Sequence, residues 1–311
     1  MLTYRIVFSW GAGMKHAILG AGAIGGLAGT ALASLGEDVT VVVRPEKLAS
    51  YPRNLSLERP ASSDSGSITA SAKVDAELKD PVDVLWIATK AYQLQTALES
   101  VRVVPGCVIP LLNGVDHIAV LRKQFGNERV VPATIAVEAE RIAPGRFIQR
   151  SPFARLNIAS SGEPLLGAII AQLSNLGFTC QFILNEQTLL WSKVCFLAPL
   201  ALVTSASGMN VGEILADAAW KQKLSSALAE ACAVANASGA QVDALQIQAV
   251  YDGVPPAMRS SMQKDVVAGR QLELDAIGGP IVRGGERYGI DVSTTADLMA
   301  TIQAKTVARR S

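Results

Sequence analysis

Histidine is almost missing from this chain of 311 residues, which has two, and cysteine is sparse at four. Cys107, Cys180, Cys195 and Cys232 are widely spaced, with no CxxC pair and no neighbouring histidine, so no zinc site is indicated and a reduced, cytoplasmic protein is the simple expectation. His16 falls in an apolar strand-like run and His117 just after a loop; neither a metal cluster nor a histidine-based triad assembles from them, and the chemistry is expected from other groups. An excess of one charge is also missing. A formal charge of +1 offers no broad basic surface for nucleic acid or an anionic membrane, so anion recognition must be local. The apolar run 194–203 is shorter than the roughly 20 residues a bilayer requires, and Lys193 and Pro199 spoil it further, so no membrane span is expected. There is no internal repeat and no low-complexity tract.

What is present suits a compact globular protein: half the residues are hydrophobic and 18% are charged, and the length suits two domains, each with its own core. Residues 1–13 carry an apolar stretch without the basic start and small-residue cleavage site of a signal peptide, and read as an extension ahead of Met14. From Lys15 the order is a short apolar run, a glycine turn opening an alanine-rich helix, and the run EDVTVVVR, which together predict a βαβ unit. Strand-like runs at 82–88 and 106–112, separated by the helix-like AYQLQTALESV, continue the alternation of a parallel sheet. Residues 53–73 are polar and serine-rich, a surface excursion with short edge strands. After about residue 185, helical spacing takes over at 186–206, 216–238, 245–251 and 273–288. The expected domains are a dinucleotide-binding α/β domain of the Rossmann type, a doubly wound parallel sheet, over 14–183, and an all-α domain over 184–311.

Gly20-Ala21-Gly22-Ala23-Ile24-Gly25 is a G-x-G-x-x-G between strand and helix. The first glycine permits the tight turn, the second lets the backbone approach a pyrophosphate, and the third allows the helix to pack on the sheet, with the phosphates resting on the helix N-terminus. A purely structural turn is the alternative. At the end of the second strand, where an acid would bind the ribose 2′-hydroxyl of NAD, stands Arg44. A guanidinium suits a 2′-phosphate, which favours NADP over NAD; otherwise Arg44 is a solvated loop residue.

From Met14 to about Ala304 the chain resembles the ketopantoate reductases (2-dehydropantoate 2-reductases). The likeness rests on MKHAILGAGAIG, on Ala88-Thr89-Lys90-Ala91-Tyr92-Gln93, on Leu111-Leu112-Asn113-Gly114, and most specifically on the run RSSMQKDVVAGRQLELDAIGG from Arg259. The resemblance implies a helical domain of the 6-phosphogluconate-dehydrogenase-like type and NADPH-dependent reduction of a 2-keto acid to a 2-hydroxy acid in the cleft between domains. It implies Arg44 and Lys90 near the 2′-phosphate, Asn113 near the nicotinamide end and the substrate, Lys193 as general acid, Ser261 on the substrate carboxylate or hydroxyl, and Glu273 supporting catalysis and the cofactor site. A homodimer is compatible with the pattern.

Hydride attack on a ketone develops negative charge on oxygen, which an ammonium both stabilises and protonates, and burial would bring the Lys193 pKa toward neutrality. The bland alternatives are a snorkelling lysine at a helix flank, a first-turn helix acid for Glu273, and a helix cap for Ser261. On one straight helix Ser261 and Glu273 would stand about 18 Å apart, so a break near Gly269 is needed to turn both into one cleft. The family's lysine helix carries asparagines four and eight residues after the lysine; here these are Leu197 and Ala201, while Thr204 still matches. The loss removes substrate hydrogen bonds and favours a more apolar carbonyl substrate. The competing readings are another NADP-dependent dehydrogenase of the same superfamily and a protein that senses NADP(H) without turnover.

Overall fold

The computed structural model describes residues 13–59 and 66–308, so all of the expected N-terminal extension except Gly13 lies outside the described residues. The chain runs β1 (Lys15–Leu19), α1 (Ala23–Ser34), β2 (Asp38–Val42), α2 (Pro45–Leu48), β3 (Asn54–Glu58), β4 (Ile68–Ser71), β5 (Lys73–Asp75), β6 (Val84–Ile87), α3 (Leu94–Leu98), β7 (Cys107–Pro110) and α4 (His117–Phe125). It continues through β8 (Ala133–Ala136), β9 (Ala139–Ala143), β10 (Arg146–Gln149), β11 (Ala154–Ala159), α5 (Glu163–Asn175) and β12 (Phe178–Ile183). Helices follow: α6 (Glu186–Ser207), α7 (Val211–Ala216), α8 (Ala218–Ala237), α9 (Ala244–Asp252), α10 (Ser261–Val267), α11 (Leu274–Tyr288) and α12 (Ser293–Ala308).

The central sheet has the order β5-β2-β1-β6-β7 with every pairing parallel. The central strands β1, β6 and β7 are covered on both faces, which is why they are continuous apolar runs instead of alternating ones. Ile18, Val41, Trp86 and Ile109 pack on α1, while Ala17, Leu19, Leu85 and Val108 pack on α3 and α4. His16 is fully buried on β1, where its Nδ1 accepts the Trp86 indole N–H at 3.1 Å, and burial lowers its pKa to about 4.

Two smaller sheets stand beside the central one. The order β4-β3-β10-β9 takes in the serine-rich excursion, and β12-β11-β8 closes the domain. β3 and β4 are the short strands expected within residues 53–73, whereas β8 to β12 fall where no strand was read from the sequence. β9 is short and largely exposed, and so lacks an apolar run to announce it.

The helical half has a core of its own, built on α6, α8, α10, α11 and α12. α6 is 22 residues long and apolar enough to cross a membrane by length and composition, yet 78% of its most apolar window is buried inside the protein. Pro199 lies inside this helix and removes the N–H that would bond the carbonyl of Cys195. The Tyr251 hydroxyl of α9 reaches that region instead, 2.9 Å from the carbonyl of Phe196 and 3.4 Å from that of Cys195.

Candidate active site

The glycine turn is held by close approach. Gly20 has φ +105°, and a Cβ on it would stand 2.8 Å from the backbone of Ala88 and Thr89 at the end of β6; a Cβ on Gly25 would stand 2.0 Å from the carbonyl oxygen of Gly20. Gly22 differs, because a Cβ there would meet nothing within 4 Å. Gly22 is also the N-cap of α1 and offers no side-chain cap, so the first amides of the helix, at Ala23 and Ile24, are left for a ligand. The buried hydroxyl oxygen of Thr89, in the loop that touches Gly20, has no hydrogen-bond partner among the described residues. Open space, uncapped amides and an orphaned hydroxyl together fit a dinucleotide across this turn. Arg44 follows β2 as the N-cap of α2; its side chain is 73% exposed and 3.4 Å from Glu46.

On the other side of the cleft, Lys193 is partly buried on α6 between Trp191 and Val194. Burial brings its pKa down to about 8, and the charge of Glu273 works in the opposite direction. Glu273 is itself buried at the start of α11. One of its carboxylate oxygens accepts from the Ala91 amide at 3.1 Å; the other accepts from Lys90 Nζ at 2.8 Å and Asn113 Nδ2 at 3.4 Å. Three side chains named from the sequence, Lys90, Asn113 and Glu273, therefore meet at one point between the two halves. Gly114 makes this fit possible. Its φ is +84°, and a Cβ there would lie 2.2 Å from the carbonyl oxygen of Ala276.

The break expected near Gly269 is present: α10 ends at Val267, Gly269 has φ +64°, and α11 opens at Leu274. Ser260, rather than Ser261, is the N-cap of α10, accepting from the Gln263 amide at 3.1 Å. Its hydroxyl also lies 2.8 Å from that of Thr204, so α6 fixes the start of α10. Ser261 is left exposed at the first helical position, with its hydroxyl free of a capping role. On the lysine helix, Ala201 is buried in the helical core, whereas Leu197 is partly exposed and belongs to none of the apolar clusters among the described residues. One turn beyond Lys193, Leu197 shares its face of the helix.

His117 escaped sequence reasoning. Its imidazole is buried at the start of α4, its Nε2 lacks a hydrogen-bond partner among the described residues, and burial, aided by the charge of Lys193, lowers its pKa to about 4. It lines a cavity of about 230 Å³ together with Asn113 and Glu273. Nothing in the sequence places it there; α4 is joined to the start of α6 by an ion pair, Arg122 and Glu186 at 2.6 Å.

Comparison with known proteins decides the family. The family described as ketopantoate reductase PanE/ApbA matches residues 16–162, and its C-terminal counterpart matches residues 185–306. The chain belongs to the ketopantoate reductase family. A 2-dehydropantoate 2-reductase of Caulobacter vibrioides is 33% identical over 301 residues, covering 93% of this chain and 98% of that protein. Among solved structures, a PanE/ApbA family ketopantoate reductase from Ralstonia eutropha JMP134 superposes with a TM-score of 0.82 at 23% identity, covering 96% of this chain and 100% of that one. A ternary structure of D-mandelate dehydrogenase with NADH and anilino(oxo)acetate gives the same TM-score at 21% identity, with the same coverage. Like other ketopantoate reductase family members, the chain is an oxidoreductase acting on CH–OH groups, with an α/β nucleotide-binding half and a helical half.

Proposed function

We propose that this protein reduces a 2-keto acid to a 2-hydroxy acid with NADPH, ketopantoate to pantoate being the leading candidate reaction. The observation that carries this reading is the half-buried Lys193 with its pKa near 8, electrically coupled to Glu273, which is bonded to the nucleotide-binding half through Lys90, Ala91 and Asn113. NADPH supplies the hydride when bound. The glycine turn and the N-terminal amides of α1 bind its phosphates, and Arg44 is suited to the 2′-phosphate.

Lys193 Nζ holds the proton delivered to the substrate's carbonyl oxygen, and its charge stabilises the oxyanion that forms there. A pKa near 8 keeps most of the ammonium protonated at neutral pH while leaving the proton acidic enough to transfer. Glu273 favours the charged form of Lys193 and orients Asn113. The exposed hydroxyl of Ser261 is available to the substrate carboxylate, its position set by the Thr204–Ser260 contact.

Leu197 favours a second reading in which the acceptor is a more apolar 2-keto acid, since an apolar side chain one turn from Lys193 offers no hydrogen bond to a substrate hydroxyl. NADPH consumption by the purified protein with ketopantoate and with apolar 2-keto acids tests both. Efficient turnover of ketopantoate establishes the first reading; turnover of only the apolar acids establishes the second. Tight NADPH binding without turnover of any keto acid overturns both.

A further inference from the structure

β9 is the edge strand of the sheet β4-β3-β10-β9, and its Arg141 pairs with Phe147 of β10, so the two side chains leave the same face. Phe147 is fully buried against α1, so close that a Cβ on Gly26 would stand 2.0 Å from its ring. That contact sets the height of the sheet above the first turn of α1. Arg141, one strand nearer the edge, overhangs the glycine turn, and its Nη1 donates to the carbonyl of Ala21 at 3.1 Å.

Other cations on this sheet or bonded to it have acidic partners. Arg150 is 2.8 Å from Glu140, Lys264 is 2.6 Å from Glu138, and Arg146 is 3.6 Å from Glu58. No carboxylate lies within ion-pair distance of Arg141 among the described residues. A guanidinium has five N–H donors, and among the described residues this one has committed a single donor, beside open space at Gly22 and the uncapped start of a 12-residue helix.

We propose that Arg141 is a pyrophosphate-binding residue, supplied to the dinucleotide site by the second sheet. The inference rests on the cofactor reading above and adds to the helix amides a full positive charge. A phosphate oxygen beside Gly22 takes a charge-assisted hydrogen bond from the free guanidinium nitrogens, while the bond to Ala21 holds the arginine over the turn.

The test uses two variants of the full chain. Arg141→Gln keeps an N–H for the Ala21 carbonyl and removes the charge, whereas Arg141→Met removes both. The exposed position leaves the thermal midpoint of each unchanged. Each variant is titrated with NADPH, NADH and 2′-AMP, which lacks a pyrophosphate. Both variants are expected to lose affinity about tenfold for NADPH and NADH alike, with 2′-AMP unaffected and with a weaker salt dependence than the parent. Arg44→Gln, run alongside, weakens NADPH and 2′-AMP and spares NADH. Parental affinity in Arg141→Gln reduces the arginine to a prop for the loop and overturns the proposal. A loss confined to NADPH and 2′-AMP moves Arg141 to the 2′-phosphate and also overturns it. A parent protein that binds neither dinucleotide overturns the cofactor reading itself, an outcome distinct from both.

Discussion

The ammonium of Lys90 lies 2.8 Å from a carboxylate oxygen of Glu273, 183 residues further along the chain. The same nitrogen is 3.3 Å from Asp265, whose other oxygen is held by Arg270 at 2.7 Å. Burial disfavours the charge on Lys90, but Glu273 and then Asp265 outweigh it and hold the pKa above that of an ordinary lysine. This chain of charges joins the C-terminal ends of the central strands to the start of α11. It fastens the two halves at the point where Asn113 and Glu273 meet, and it leaves Lys90 engaged by two carboxylates.

Glu273→Gln tests how that fastening reaches the acid. Reduction requires protonated Lys193, so its rate falls as pH rises through about 8, whereas oxidation of the hydroxy acid requires the neutral amine and rises over the same range. Glu273 raises the Lys193 pKa, so its neutral replacement moves both limbs to lower pH. Rate profiles against pH in both directions read the shift directly, and unmoved limbs would show that the two groups are not coupled.

Lys193→Met removes the proton donor and retains an apolar stem of similar reach. Turnover is expected to fall by about 10²–10⁴, with NADPH affinity unchanged, because the lysine is on the helical half and the glycine turn on the other. Stopped-flow hydride transfer alongside a cofactor titration separates the two effects. Parental turnover would remove Lys193 from the chemistry.

Acid stability is set in part by two buried neutral imidazoles. His16 and His117 have pKa values lowered from 6.5 to about 4, first by burial. Above pH 6.5 the stability is fully present. As pH falls from 6.5 toward 4 the unfolded chain takes up protons that the folded chain refuses, and each histidine contributes a loss on the order of 3 kcal/mol. Urea melts at pH 7 and pH 5 measure this, and His117→Phe should flatten part of the slope.

Leu197→Asn restores a hydrogen-bonding group one turn beyond Lys193. The variant is expected to gain roughly tenfold in kcat/KM for a hydroxylated 2-keto acid over an apolar one, the yield of one buried hydrogen bond. Competition between the two substrates gives the ratio, and an unchanged ratio would mean that Leu197 does not touch the substrate.

The parts legible in the sequence were those with a period or a fixed spacing. The first βαβ unit declared itself through apolar runs around Gly20, Gly22 and Gly25, and α6, α8, α9 and α11 through helical spacing. The break at Gly269 followed from the reach required of Ser261 and Glu273. Short edge strands were read over residues 53–73, where β3 and β4 stand, but their partner β9 was hidden because it is largely exposed and too short for a period. The place of His117 was hidden for another reason: its neighbour Lys193 is on a different helix, and only the tertiary fold brings the two near each other. Ser260 was masked by its neighbour, since either serine could cap a helix, and the Thr204 hydroxyl that distinguishes them is 56 residues away.

The proline inside α6 removes one rung of the helix's hydrogen-bond ladder. With no N–H at Pro199 to tie back to Cys195, the helix lacks one bond there, and the Tyr251 hydroxyl bridges the gap from outside. The segment before it, which carries Lys193, is anchored in the helical core by Trp191, Val194 and Cys195, and the segment after it by Leu200, Ala201 and Leu202. The missing rung thus lies between two anchored stretches, and the tyrosine of α9 stands in for it from outside, so that Lys193 is presented to the cleft from a fixed mount on the helical half.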